Sequence, residues 1–269
     1  MVILAPIVCL FGVAYSLPPE QDTVWSVFQP STHSETPSQT SAGGPEKSAA
    51  RSNEDLLGEE AKEKILAHRL SARVETCSDL RVLVDRSHSL PPDYVPDDLV
   101  PLRAYGVPTL GSDTLLLRGD AAEHLGHLVA AAALDGEELV VASAYRTYEE
   151  QQISHERLES VYGAGANGAS ATPGHSQHQL GTAVDFTNAA VSYQVWMPFG
   201  ETTANWWLQR HAQKYGFVLA YPKGKEMETG YQWEPWHYRY VGVENVQRLQ
   251  ESGLSLQEFL EREGVMPHC

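Results

Sequence analysis

The sequence predicts an α+β domain with a mainly antiparallel sheet flanked by helices. Three observations carry that prediction. Helical and strand-like segments are interspersed, yet no regular βαβ alternation appears, which argues against a doubly wound parallel sheet. Two helix starts are marked locally by Thr147-x-x-Glu150 and Ser255-x-x-Glu258, the capping-box pattern. Short β-rich runs at Leu139–Ala142, Ala183–Phe186 and Tyr231–Val241 stand apart from the helical ones.

The compact domain is expected to begin near Cys77. Arg81–Val84 is apolar-rich, and LPPDYVPDDL (Leu90 to Leu99) follows as an extended, Pro-punctuated segment. Asp120-Ala-Ala-Glu123 reads as another capping box, opening a helix with Leu125, Leu128, Val129 and Ala132 on one face and Gly136 at its end. Leu139–Ala142 is a buried strand, and a helix starts at Thr147 directly after it. Gly163–Gly174 is a flexible loop, Ala183–Phe186 a strand, and Thr203–Tyr215 a helix ended by Gly216. Tyr231–Val241 is aromatic and β-rich, and Ser255 caps a last short helix.

The part before Cys77 divides into three. Residues 1–16 hold an apolar run too short to span a membrane comfortably, which fits a signal peptide or N-terminal anchor. Ala14 and Ser16 stand where small residues precede cleavage, although no Lys or Arg occurs before Lys47. Residues 17–52 form a Ser/Thr/Pro-rich spacer whose composition buries too little to offset its ordering entropy. Residues 53–76 read as a helical lead-in, capped by Asn53, with Leu57, Ala61, Ile65, Leu66 and Leu70 at helical spacing.

A formal net charge of −16 excludes nucleic acid as a partner, because phosphate binding needs a Lys/Arg surface. The three cysteines, Cys9, Cys77 and Cys269, are too widely spaced for a zinc knuckle or redox motif. Removal of a signal peptide would leave Cys77 and Cys269 as an even pair at the two ends of the domain. A disulfide between them is expected in an oxidising compartment.

The chemistry concentrates in three short stretches: Ser143-Ala-Tyr-Arg146, the S-x-H-x-x-G-x-A-x-D pattern from Ser176 to Asp185, and Glu234-Pro-Trp-His237. Taken singly, each histidine or carboxylate has an ordinary structural reading. Together they make a set: His178, Asp185 and His237 supply two imidazoles and a carboxylate, the donor types of a catalytic zinc site. Glu234 supplies a base and Arg146 a fixed positive charge. One geometric obstacle stands in the way. In a regular strand, residues seven or three apart face opposite sides. His178 and Asp185, and Glu234 and His237, converge only if the backbone breaks between them, and Gly181 and Pro235 occupy those intervals.

These motifs, SAYRTYEEQ at 143–151, SQHQLGTAVD at 176–185 and EPWH at 234–237, resemble the VanY-type D-alanyl-D-alanine carboxypeptidases. That family stands in a zinc-peptidase group with lysostaphin-type enzymes and the hedgehog domain. The resemblance spans about residues 78–250. It implies a hedgehog/D-Ala-D-Ala peptidase-like fold, so that 77–269 would be a zinc carboxypeptidase domain. It implies Zn²⁺ on His178, Asp185 and His237, Glu234 as general base, Arg146 as a substrate-stabilising group, and Ser176 and Gln151 as residues that hold the peptide. The implied reaction is D,D-carboxypeptidase removal of the terminal D-Ala from peptidoglycan stem peptides. An L,D-carboxypeptidase acting on tetrapeptide ends and a peptidoglycan endopeptidase remain open, while a non-enzymatic zinc module is disfavoured by the presence of Glu234. The implied place is extracytoplasmic, secreted or membrane-anchored at the cell wall, with the chain acting as a monomer. His175 is not required by the pattern, and His124 and His127 read as solvated side chains on a helix.

Overall fold

Val140–Ser143 and Ala183–Thr187 become strands around the strand-favouring Val140, Val141, Val184, Phe186 and Thr187. The computed structural model describes Lys64 and residues 77–111, 114–163, 168 and 170–269. The predicted N-terminal run, spacer and lead-in helix lie outside these residues, Lys64 apart. Contacts divide the chain at Leu66, and the unit Ala67–Cys269 holds all that follows.

Strand β1 (Leu99–Pro101) pairs antiparallel with β2 (Leu116–Arg118) in a small sheet of its own. Strands β3 (Val140–Ser143), β4 (Ala183–Thr187), β5 (Phe217–Leu219) and β6 (His237–Tyr240) form a four-stranded sheet in the order β3-β4-β6-β5, antiparallel throughout. The helices are α1 (Gly119–Leu134), α2 (Tyr148–Tyr162), α3 (Thr203–His211), α4 (Glu226–Thr229), α5 (Val243–Ser252) and α6 (Leu256–Glu263). The architecture is the α+β one that the sequence predicts.

Local signals hold where they are self-contained. At α2, Glu150 N–H donates to Thr147 Oγ1 (3.1 Å) and Thr147 N–H to Glu150 Oε2 (2.9 Å). At α6 the same exchange joins Ser255 and Glu258. The third predicted box is absent. Helix α1 already begins at Gly119 and its N-cap Arg118 has no side-chain cap, so Asp120 sits inside the first turn. There its charge complements the helix dipole instead. The α1 stripe of Leu125, Leu128, Val129 and Ala132 is buried as expected, joined by Ala121 and Ala122. The helix predicted over Thr203–Tyr215 is α-helical only to His211 and finishes as a 3₁₀ turn, Ala212–Tyr215, before Gly216. The strand predicted over Tyr231–Val241 is confined to His237–Tyr240. Pro235 lies in a turn closed by His237 N–H on Glu234 O (3.1 Å), which delays the strand to His237.

The pleat sorts β4 and β6 into two faces. Val184, Phe186, Tyr238 and Tyr240 enter the main core with Leu125 and Leu128 of α1 and Leu208 of α3. Burying a side chain such as Phe186, which is 0% exposed, contributes roughly 1.5–3 kcal/mol. Asp185 and His237 alternate with those residues and emerge on the opposite face. The expected disulfide is present: Cys77 and Cys269 are joined across 192 residues with their Cα atoms 5.5 Å apart. Beside it, Leu83 N–H donates to Val265 O (2.8 Å), so the domain's first and last segments lie together.

Candidate active site

The site begins as a row across the sheet. Ser143 on β3 pairs with Asp185 on β4, and Asp185 pairs with His237 on β6. A register irregularity between Val141 and Ser143 brings Ser143 into that row.

His178 joins from outside the sheet. It lies in a 3₁₀ turn, Gln177–Leu180, whose first N–H groups are capped by Ser176: His178 N–H donates to Ser176 Oγ (3.3 Å). Gly181 then reverses the chain with φ of 66°. A Cβ there would stand 2.9 Å from Leu99 Cδ2 and 3.1 Å from Arg118 Cγ, so glycine is required by conformation and by space. This break lets His178 Nε2 come within 3.2 Å of Asp185 Oδ2, although seven residues separate them. The Pro235 turn, closed by the backbone bond from His237 N–H to Glu234 O, places Glu234 next to His237 along the chain.

Counting protons shows what the three residues are built for. His178 Nδ1 lies 2.7 Å from Ala144 O, and its Nε2 faces the Asp185 carboxylate. His237 Nε2 lies 3.2 Å from Gln177 Oε1, and its Nδ1 is 2.9 Å from Asp185 Oδ1. Each ring therefore faces two acceptors, while a neutral imidazole has one N–H. Burial pushes His237 toward its neutral form, against the pull of Asp185. With protons directed to the Ala144 and Gln177 carbonyls, the remaining nitrogen lone pairs would face the Asp185 carboxylate. A cation resolves that conflict. The three ligand atoms lie within 4.8 Å of one another, and zinc bonds of about 2.0–2.2 Å in a tetrahedron place ligand atoms about 3.4 Å apart. Among the described residues this is the one group of three or more His, Cys, Asp or Glu side chains with that capacity.

The surrounding charges fit the same reading. Burial opposes ionisation of Asp185, but the adjoining His178 and His237 rings hold its carboxyl well below the usual range. Glu234 is pushed up, first by burial and then by the charge of Asp185, with Arg146 pulling the other way. Arg146 leaves the end of β3 and is fixed twice: Nη1 donates to Gln151 Oε1 and Nη2 to Ser143 Oγ, both at 2.8 Å.

The predicted residues thus separate into groups. His178, Asp185 and His237 are in mutual contact, and Glu234 and Arg146 lie close enough to feel their charges. Ser176 caps the turn that carries His178. Gln151 departs from the expectation that it holds the peptide directly. It is 1% exposed, and its amide is occupied by Arg146, Ser170 Oγ and Ala171 O. It braces Arg146 from behind. His175 turns away to donate from Nδ1 to Asp85 O (2.7 Å), and the His124 and His127 rings stand 6.4 Å apart on α1.

Two supporting residues were not legible in the sequence. Tyr221 stacks on His237 at 4.9 Å with the rings 22° from parallel, and Gln177 Oε1 lies 3.2 Å from its Nε2. Tyr221 lies outside the motifs and Gln177 fills an unspecified position of one, and their roles arise only when distant segments meet.

Comparisons with known proteins agree with this geometry. The family model described as "VanY: D-alanyl-D-alanine carboxypeptidase" matches residues 114–243. YodJ of Bacillus subtilis (strain 168), which bears the name of a carboxypeptidase, is 35% identical over 196 residues, 70% of each chain. Among solved structures, the LD-carboxypeptidase LdcB is 36% identical, with a TM-score of 0.63 over 69% of this chain and 87% of its own. The D,D-pentapeptidase VanY of a VanB-type vancomycin resistance cassette, solved as a mutant with Zn(II), is 32% identical. Its TM-score is 0.55 over 67% of this chain and 98% of its own. With the motif residues gathered in one cluster on a shared fold, the chain belongs to the VanY family of D-alanyl-D-alanine carboxypeptidases.

Proposed function

We propose that this carboxypeptidase is zinc-dependent and releases the terminal D-Ala from peptidoglycan stem peptides, with D,D cleavage of pentapeptide ends as its reaction. The observation that carries the reading is the His178–Asp185–His237 cluster, whose two rings each face two acceptors, with Glu234 and Arg146 beside it. When bound there, zinc supplies a Lewis acid that activates water and polarises the scissile carbonyl.

The chain's own residues account for the rest. Glu234 accepts the proton of the attacking water and returns it to the leaving amine nitrogen. Its desolvated setting favours holding that proton between the two transfers. Arg146, fixed by Ser143 and Gln151, presents its remaining N–H groups to the negative charge of the substrate. Because both partners are already in place, little reorganisation is needed as charge develops.

A second reading, L,D cleavage of tetrapeptide ends, is favoured by the higher TM-score and identity to the LD-carboxypeptidase LdcB. Both reactions free a C-terminal D-Ala. The Cys77–Cys269 bridge supports an extracytoplasmic location, where such bonds persist. The test is incubation of the zinc-loaded protein with defined pentapeptide and tetrapeptide stems, followed by product mass. Loss of one D-Ala from the pentapeptide supports the D,D reading, and loss from the tetrapeptide alone supports the L,D reading. Cleavage only within the peptide, or none, contradicts both.

A further inference from the structure

We propose that Gln177 is a positioning residue, holding the His237 ring in the tautomer that presents Nδ1 beside Asp185. The inference rests on the zinc reading above and concerns how one ligand is kept competent.

His237 is held on three sides. Tyr221 covers one ring face, Asp185 Oδ1 lies 2.9 Å from Nδ1, and Gln177 Oε1 lies 3.2 Å from Nε2. A neutral imidazole carries its single proton on one nitrogen or the other. The Asp185 carboxylate is the stronger acceptor and would draw that proton to Nδ1. The lone pair would then sit on Nε2, pointing out of the cluster toward Gln177, and His237 would be lost as a ligand. The Gln177 carbonyl supplies the competing acceptor that keeps the proton on Nε2. Water is a poor substitute, since Gln177 and His237 are each 3% exposed.

The two histidines differ in how their tautomers are fixed. His178 is held by the backbone carbonyl of Ala144, which no substitution removes. His237 depends on a side chain. Gln177 immediately precedes His178 in the same 3₁₀ turn, so one turn delivers a ligand and orients the other. Outer partners of this kind orient ligand rings and raise their basicity.

Gln177→Met is close to isosteric and lacks the acceptor, whereas Gln177→Glu keeps one. Zinc affinity is read by competition with a chromophoric chelator. Gln177→Met is expected to bind zinc about 10–100-fold more weakly than wild type, and Gln177→Glu to stay near wild type. Long-range ¹H–¹⁵N spectra of the metal-free wild type should place the His237 proton on Nε2. That measurement decides the matter if Gln177→Met does not fold. Wild-type affinity in a folded Gln177→Met, or a proton on Nδ1, overturns the role of Gln177 while leaving the zinc reading intact. A wild-type protein that binds no zinc removes both.

Discussion

Asp185 and His237 are cross-strand partners on β4 and β6, with Oδ1 2.9 Å from Nδ1. Sheet register therefore places a carboxylate against an imidazole before any metal is considered. Asp185→Asn keeps shape and pairing but removes the charge that offsets a dication. We predict a folded protein whose zinc affinity falls by at least roughly 10²-fold, beyond the usual loss of an outer partner. Chelator competition on the purified variant checks this, and wild-type affinity would remove Asp185 from the ligand set.

Glu234→Gln retains the side-chain outline while removing the base. Zinc content and melting temperature should be unchanged, and kcat should fall about 10²–10⁴-fold. Turnover near wild type would mean that another group accepts the proton.

Arg146→Lys conserves charge but cannot reach Ser143 and Gln151 at once, because an ammonium lacks the planar fork. A large fall in kcat/KM is expected on a peptide with a free C-terminal carboxylate. Wild-type enzyme should not cleave the same peptide when amidated. Equal kcat/KM for the two forms would make Arg146 a structural residue.

Gly181→Ala tests the chain reversal. An L-residue in the left-handed region costs about 1–2 kcal/mol, and the added Cβ would press on Leu99 and Arg118. A lower melting temperature together with weaker zinc binding is expected, because the same reversal brings His178 to Asp185. Loss of stability with unchanged zinc affinity would separate the two.

Cleaving the Cys77–Cys269 bond frees both ends of a 192-residue separation. The chain-entropy model assigns about 5 kcal/mol to so long a loop, and measured gains are often smaller. Thermal unfolding with and without reductant should differ by about 10 °C in midpoint, given roughly 2–4 °C per kcal/mol for a domain of this size. Coincident midpoints, with reduction confirmed by mass, would show that the bridge adds no stability.

What the sequence reveals follows the range of each interaction. The Thr147 and Ser255 caps were readable because both partners lie within four residues. Gly181 and Pro235 were readable as breaks because the motif spacing demanded them. Asp120-Ala-Ala-Glu123 misled because the same local pattern also fits one turn inside a helix, and the start of α1 is set by its packing with β1 and β2. Helix α5 begins after Gly242 without a side-chain cap and left no start signal. Gln151 was expected to meet the peptide, yet the loop at Ser170 and Ala171 closes over its amide. Gln177 lies 60 residues from the ring it touches, a pairing that only the β4–β6 register creates.

We propose that His178, Asp185 and His237 together hold one catalytic zinc. The most direct measurement is elemental analysis of purified wild-type protein beside His178→Ala and His237→Ala, each checked for folding by circular dichroism. One zinc per wild-type chain is expected, and little or none in either folded variant. A full zinc complement in both variants would contradict the proposal.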